Sequence, residues 1–112
     1  MMNQVILVGR LTSDPEIKEV GESKVSHVTV AVPRSFKNAE GVYEADFIRC
    51  TLWNAVAEHT VEYVKKGDLV GIRGRIQTSS YEDEEGNKKY TTEVVAEKIT
   101  FLSSKKSEEV SE

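Results

Sequence analysis

The 112-residue chain carries 15 Lys and Arg against 19 Asp and Glu, a net charge of −4, with 38% hydrophobic and 30% charged residues. That size and balance describe one ordinary globular domain with enough chain to bury a core, and they exclude a disordered, collagenous or helix-spanning membrane protein. The single cysteine, Cys50, excludes an internal disulfide and a thiolate metal centre and reads as a small core residue.

No basic leader follows Met1, and the first apolar run stops at Gly9-Arg10, so the expected compartment is the cytoplasm. The acidic balance weighs against a nucleic-acid partner unless charge is unevenly placed. It is uneven: acids gather at residues 82–85 and at Glu108, Glu109 and Glu112, leaving other surfaces open to local basicity.

In chain order, NQVILVGRL at residues 3–11 is dense in β-branched and apolar side chains without helical spacing, and Ser13-Asp14-Pro15 breaks it. A first strand is predicted there, resuming over residues 16–20. Gly21-Glu22-Ser23 turns the chain into a second strand over 24–34, where Val28, Val30 and Val32 alternate with His27, Thr29 and Ala31, and Pro33 suits an end or an edge. The polar loop KNAEG at 37–41 contains a glycine able to take positive φ, which makes residues 24–53 a hairpin. Its return arm, ADFIRCTLW at 45–53, is the third strand. Alternation divides that strand into Ile48, Cys50 and Leu52 on one face and Phe47, Arg49 and Trp53 on the other. The aliphatic set belongs in the core; the second set holds a cation between two aromatics at the surface.

After Trp53 the period changes. Asn54 is the predicted helix cap, Ala57, Thr60, Val61 and Val64 recur at helical spacing, and Gly67 is the predicted stop. DLVGIRGRIQT at 68–78 returns to alternation, with Val70, Ile72, Gly74 and Ile76 inward, Arg73, Arg75 and Gln77 outward, and Gly71 and Gly74 as bend or bulge positions. A second hairpin turns through EDEEGNKK at 82–89, and a last strand occupies 90–102. The segment SSKKSEEVSE at 103–112 has almost no apolar content and is expected to be a short, flexible, acidic tail. Three strands, a helix and two strands is the order of the five-stranded OB-fold barrel, whose single helix lies between strands three and four. The predicted class is therefore all-β with one short helix, in one domain over residues 1–102.

OB barrels bind oligonucleotides or oligosaccharides across their middle strands and flanking loops. Phe47 and Trp53 offer π faces to bases, and Arg49 offers a cation to phosphate or to a stacked ring. The pairing recurs with Arg34, Phe36 and Lys37 at the first hairpin and with Tyr81 beyond the strand bearing Arg73 and Arg75. Two other readings fit the same residues. One is an RNA- or oligosaccharide-binding module; the other is an assembly protein whose aromatics pack under a loop, the helix or a partner. Tyr63 and Tyr90 read as core or strand residues. His27 and His59 lie far apart without a carboxylate pair at ligand spacing, and no nucleophile has a base and an orienting group in view. The acidic run at 82–85 suits a charged edge that discourages sheet pairing better than a cation site. No catalytic group, metal or cofactor is expected, and the chain reads as a binding protein rather than an enzyme.

NQVILVGRLTSDPE, RSFKNAEGVYEADF, VKKGDLVGIRGRIQ and YEDEEGNKKYTTEVVAEKITFL follow one another in an order and spacing that span residues 1–102. In them the chain resembles the bacterial single-stranded DNA-binding proteins. The resemblance implies an OB-fold homotetramer that wraps single-stranded DNA and stacks its bases without sequence preference, with no membrane partner. The roles it implies span replication, repair, recombination and natural transformation. It puts Phe36, Phe47, Trp53 and Tyr81 at the family's stacking positions and Lys37, Arg49, Lys65 and Lys66 where phosphate is met. Arg10 and Arg34 match versions common in Gram-positive bacteria. Two departures stand out. Gln77-Thr78-Ser79-Ser80 occupies the place where many members carry a basic cluster, which implies weaker affinity or salt dependence there. Members that recruit replication and repair enzymes end in acidic residues followed by Pro-Phe, whereas this sequence ends in EEVSE. The expectation is a truncated chain, or a short-tailed member that coats DNA without recruiting those enzymes.

Overall fold

The alternating stretches become strands in a computed structural model that describes residues 1–104. The elements are β1 (Val5–Leu11), β2 (Lys18–Val20), β3 (Ser23–Lys37), β4 (Tyr43–Trp53), α1 (Asn54–Tyr63), β5 (Leu69–Glu82) and β6 (Lys88–Ser103). β1 pairs with β5, β5 with β6, β6 with β4, β4 with β3, and β3 returns to β1, so five strands close a ring. Every pairing is antiparallel except β4 with β6. The ring thus has two long hairpin ladders, β3–β4 and β5–β6, joined by short seams. Cys50 to Leu52 pair with Val94 to Ala96 at one seam, and Arg10 and Leu11 pair with Ala31 and Val30 at the other.

Residues 16–20 do not continue β1. After Pro15 the chain folds back as β2 onto β3, with Lys18 opposite Val25 and Val20 opposite Ser23. This adds a sixth short strand outside the ring, because a proline cannot donate to the ladder that a continuous first strand would need. The expected tail falls outside the described residues from residue 105 onward; its first residue, Ser103, ends β6.

The interior is filled by the predicted inward sets. Val28, Val30, Cys50, Leu52, Val70 and Ile72 are buried, with Val94, Ala96 and Ile99 of β6 beside them. Each large aliphatic side chain taken from water stabilises the fold by roughly 1.5–3 kcal/mol. Burial also pushes the Cys50 thiol up to about 11, so it behaves as core and not as a nucleophile. Helix α1 packs on β3, β4 and β6 and inserts Ala57 and Thr60.

Asn54 is not the cap that was expected. Trp53 holds the N-cap position without a side-chain bond, while Asn54 sits at φ 50° as the first helical residue. Its Oδ1 accepts instead from the Lys24 backbone N–H at 2.9 Å, and the Lys24 ammonium reaches Glu58 at 2.8 Å. The short polar side chain that suits capping also tolerates the left-handed region, and here it staples the helix start to β3. The helix ends at Tyr63, short of Gly67, because Val64 turns to extended backbone and closes the last turn by donating to the Thr60 carbonyl.

Beyond the ring the two hairpins continue as arms, residues 33–47 and 76–92, largely exposed on both faces. Ile76, predicted inward, is exposed for this reason: β5 has left the ring at that point. Both arm tips are built alike. Asn38 Oδ1 accepts from the N–H groups of Glu40 and Val42, and Asp83 Oδ1 from those of Glu85 and Asn87. In each tip a glycine three residues on, Gly41 or Gly86, takes positive φ to complete the turn.

Candidate nucleic-acid interface

The outward residues of β4 are exposed because of what stands opposite them. Phe47 faces Ala31 across the ladder and Arg49 faces Thr29, neighbours too small to cover a ring or a guanidinium. Phe47 is consequently 69% exposed. Trp53 lies opposite the buried Val25 and keeps 41% of its surface in water. Further along the arm, register puts Lys37 opposite Tyr43 on the Phe47 face, and its ammonium lies 5.5 Å from the Tyr43 ring centre. Phe36 adjoins Lys37 in the irregular stretch between Pro33 and Lys37 and is exposed.

Alternation along β5 and β6 carries Arg75, Gln77, Ser79 and Tyr81, with Thr91 and Glu93, to the same side of the sheet as Thr51. Tyr81 is exposed, and Arg75 is half-buried and donates to Gln77 at 2.7 Å. Where β4 and β6 part, beyond the Cys50–Val94 pair, a cleft of about 340 Å³ opens between the arms. Phe47, Ile48 and Arg49 form one wall, and Ile76, Thr92 and Glu93 the other. A hydrogen-bonded row crosses the floor beside it, from His27 Nδ1 to Thr51 Oγ1 at 3.2 Å and from Thr51 Oγ1 to Glu93 Oε2 at 2.7 Å.

The predicted cations do not all join this face. Arg34 projects on the opposite side of the β3–β4 arm, where it donates to Asp46 at 2.8 and 3.1 Å and to Glu44 at 2.9 Å. Its hydrogen bond holds the Asp46 carboxyl below the usual range and raises the guanidinium's own pKa. Arg10 is half-buried and donates to the Gly67 carbonyl at 2.8 Å, tying β1 to the loop after the helix. Lys65 and Lys66 are exposed on that loop, their backbone N–H groups bound by the carboxylates of Asp68 and Asp14. Arg73 points outward as predicted but lines a separate groove with Ile6, Val8, Lys98 and Leu102. Lys37, Phe47, Arg49 and Trp53 are thus gathered on β3–β4, with Tyr81 and Arg75 on the facing arm.

Tyr63 and Tyr90, expected as core or strand residues, are both exposed; Tyr90 lies in β6, and Tyr63 leans on His59 with ring centres 4.9 Å apart. Sequence reasoning passed over Tyr43 and Glu93. The same period-2 alternation that selected Phe47 marks Tyr43, whereas Glu93 is placed only by the pairing of β4 with β6. Among the described residues no group of three His, Cys, Asp or Glu side chains lies close enough to hold a metal ion.

The model of the single-strand binding protein family matches residues 2–102. The chain belongs to that family. The family has the OB fold, and the closed five-stranded ring with its helix between β4 and β5 is this member's form of it. Single-stranded DNA-binding protein B of Bacillus subtilis is 53% identical over 113 residues that span 100% of both chains. Single-stranded DNA-binding protein 1 of Clostridium acetobutylicum is 46% identical over 94% of this chain and 97% of its own. Single-stranded DNA-binding protein 3 of Listeria innocua is 50% identical, and this chain covers 66% of its length.

Proposed function

We propose that this family member binds single-stranded DNA without sequence readout of the kind a duplex-binding protein uses, as a cytoplasmic binding protein and not an enzyme. The observation that carries the reading is the exposed row Phe47, Arg49 and Trp53, left open by Ala31 and Thr29 opposite. Rings in such a row stack on bases of any identity, and the nearby cations meet phosphate, so strand coverage in replication, repair, recombination or transformation is the fitting role. Residues 1–102 act as the binding domain and 103–112 as an appended tail. Arg49, Lys37, Lys65 and Lys66 are the cations best placed to reach phosphate. Arg34 and Arg10 serve the protein's own geometry first.

Titration with oligo-dT should quench the fluorescence of Trp53, the only tryptophan in the chain. If four cations meet phosphate, log Kd should change with log salt by roughly 3 in magnitude. Absence of quenching together with absence of a mobility shift would overturn the reading.

The reading includes a homotetramer, and β1 supports it. Ile6 and Val8 are 70% and 49% exposed on one face, and among the described residues the side of β1 away from β5 is unpaired over Val5–Gly9. An open strand edge beside exposed aliphatics favours pairing with a second copy. Ile6→Glu should lower the mass found by light scattering while leaving the far-ultraviolet dichroism unchanged. A tetramer undisturbed by that charge would place the contact elsewhere.

A further inference from the structure

Where the first arm leaves the ring, β3 carries more residues than β4. Pro33 pairs with Ala45 and Lys37 with Tyr43, so Arg34, Ser35 and Phe36 stand against the single residue Glu44. Such an insertion interrupts the ladder, and the path of the strand there is set by other contacts. Phe36 lies inside it, without a register partner and 67% exposed. Arg34 supplies the tie that the ladder lacks. Its Nε and Nη2 donate to Asp46 Oδ1 at 3.1 and 2.8 Å, and its Nη1 donates to Glu44 Oε2 at 2.9 Å. Glu44 is held in turn, because its Oε1 accepts from Asn38 Nδ2 at 3.0 Å, and the same Asn38 forms the arm tip. One guanidinium therefore grips two carboxylates of β4 from within the insertion, and the chain of bonds runs from Asp46, opposite Val32 before the insertion, to Asn38 after it. An isolated surface ion pair contributes little, but a planar fork shared between two carboxylates fixes direction as well as distance.

We infer that Arg34 is a positioning residue for DNA binding: gripped by Glu44 and Asp46, it holds the insertion in β3 in the conformation that presents Phe36 to a base. The inference rests on the reading of the exposed aromatics as a site for single-stranded DNA, with Phe36 among the stacking rings. A ring on a loose strand loses conformational freedom when it stacks, and that loss weakens the complex. A strand ordered beforehand avoids it. The device reads no base identity, since a preorganised ring serves every base alike. It also gives two carboxylates on a DNA-binding arm a use. They offset the charge of the guanidinium and occupy its donors, so Arg34 acts through Phe36 and not as a phosphate contact.

The test is the affinity for a labelled oligo-dT across a salt series, measured by anisotropy on the full chain and on Asp46→Ala, Arg34→Gln, Phe36→Ala and the double variant Phe36→Ala/Asp46→Ala. Asp46→Ala removes a negative charge from a chain of net charge −4, so attraction of phosphate alone would tighten binding. Loss of the grip should instead weaken it by roughly 3- to 10-fold, a part of what one stacked base contributes. Arg34→Gln should weaken binding to a similar degree with the slope of log Kd against log salt unchanged, whereas a lost phosphate contact would reduce that slope by about 0.7. In the Phe36→Ala background, Asp46→Ala should bring no further loss. Melting temperatures should stay close to the parent's, because the Arg34 and Asp46 side chains are 43% and 49% exposed. Tighter binding by Asp46→Ala, a reduced salt slope in Arg34→Gln, or additive losses in the double variant would each overturn the inference while leaving DNA binding intact. Failure of the parent itself to bind oligo-dT would instead overturn the reading on which it rests.

Discussion

Phe47→Ala binds oligo-dT between about 5-fold and 150-fold more weakly than the parent, the loss expected when one stacked base gives up about 1–3 kcal/mol. It melts at the parent's temperature. The two results belong together because of where the ring sits: 69% exposed, on the outer face of β4, with Ala31 opposite and the core set Ile48, Cys50 and Leu52 on the other side of the strand. Truncating it removes a largely exposed surface and leaves the core set untouched. Trp53→Ala is the instructive contrast. Trp53 is 41% exposed, stands over buried Val25 and precedes α1, so its loss lowers stability as well as affinity. Fluorescence anisotropy with a labelled oligomer gives the affinities and a thermal dichroism scan the stabilities. A Phe47→Ala chain that melts early but binds normally would make this ring part of the fold and not of the interface.

Gly74→Ala is expected to cause a large loss of stability for a single added methyl group. A Cβ at this position would lie 2.2 Å from the Val95 carbonyl oxygen and 3.1 Å from the Ala96 Cα. Those atoms are backbone and cannot rotate away. They are also where the β5–β6 register shifts between Arg73 and Gly74, the irregularity that bends the ladder into the closed ring. Overpacking at a well-filled site costs about 1–3 kcal/mol, and backbone contacts belong at the top of that range. At about 4–8 °C per kcal/mol for a domain of this size, the melting temperature should fall by roughly 12–24 °C. Gly71→Ala, three residues earlier on the same strand, is the internal control: its nearest neighbour would be Leu102 Cδ1 at an ordinary 3.7 Å. Equal melting temperatures for the two variants would show that the ring yields freely at β6.

The strands, the helix and the core were legible because period-2 and period-3.6 patterns report burial directly. Val28, Val30, Cys50, Leu52, Val70 and Ile72 alternate in the sequence and are buried in the structure. The bulge at Gly74 and the turn glycine Gly41 were legible for a similar reason, since backbone geometry leaves few residue types for such places. Partnership was less legible. Arg34 looks like Arg49 in sequence, each a cation near an aromatic, yet one is bound to Asp46 and Glu44 and the other lines the cleft. That distinction depends on which carboxylates cross-strand register brings near, which alternation alone does not determine. Glu93 was hidden for a stronger reason. It is placed by the parallel pairing of β4 with β6, across more than forty residues of chain, and no local pattern encodes a long-range seam.

The seam has a mechanical consequence. Two ladders that are each long and stiff meet through three residue pairs at Cys50–Leu52 and two at Arg10–Leu11. Deformation of the ring therefore concentrates at these junctions, and each hairpin moves as a lever whose outer end travels furthest. The span between Phe47 and Glu93 lies at the mouth of one junction, so a small rotation there changes the width of the cleft without breaking a bond within either ladder. A protein that must accept large and small bases in any order can adjust at the junction while its stacking surfaces stay rigid.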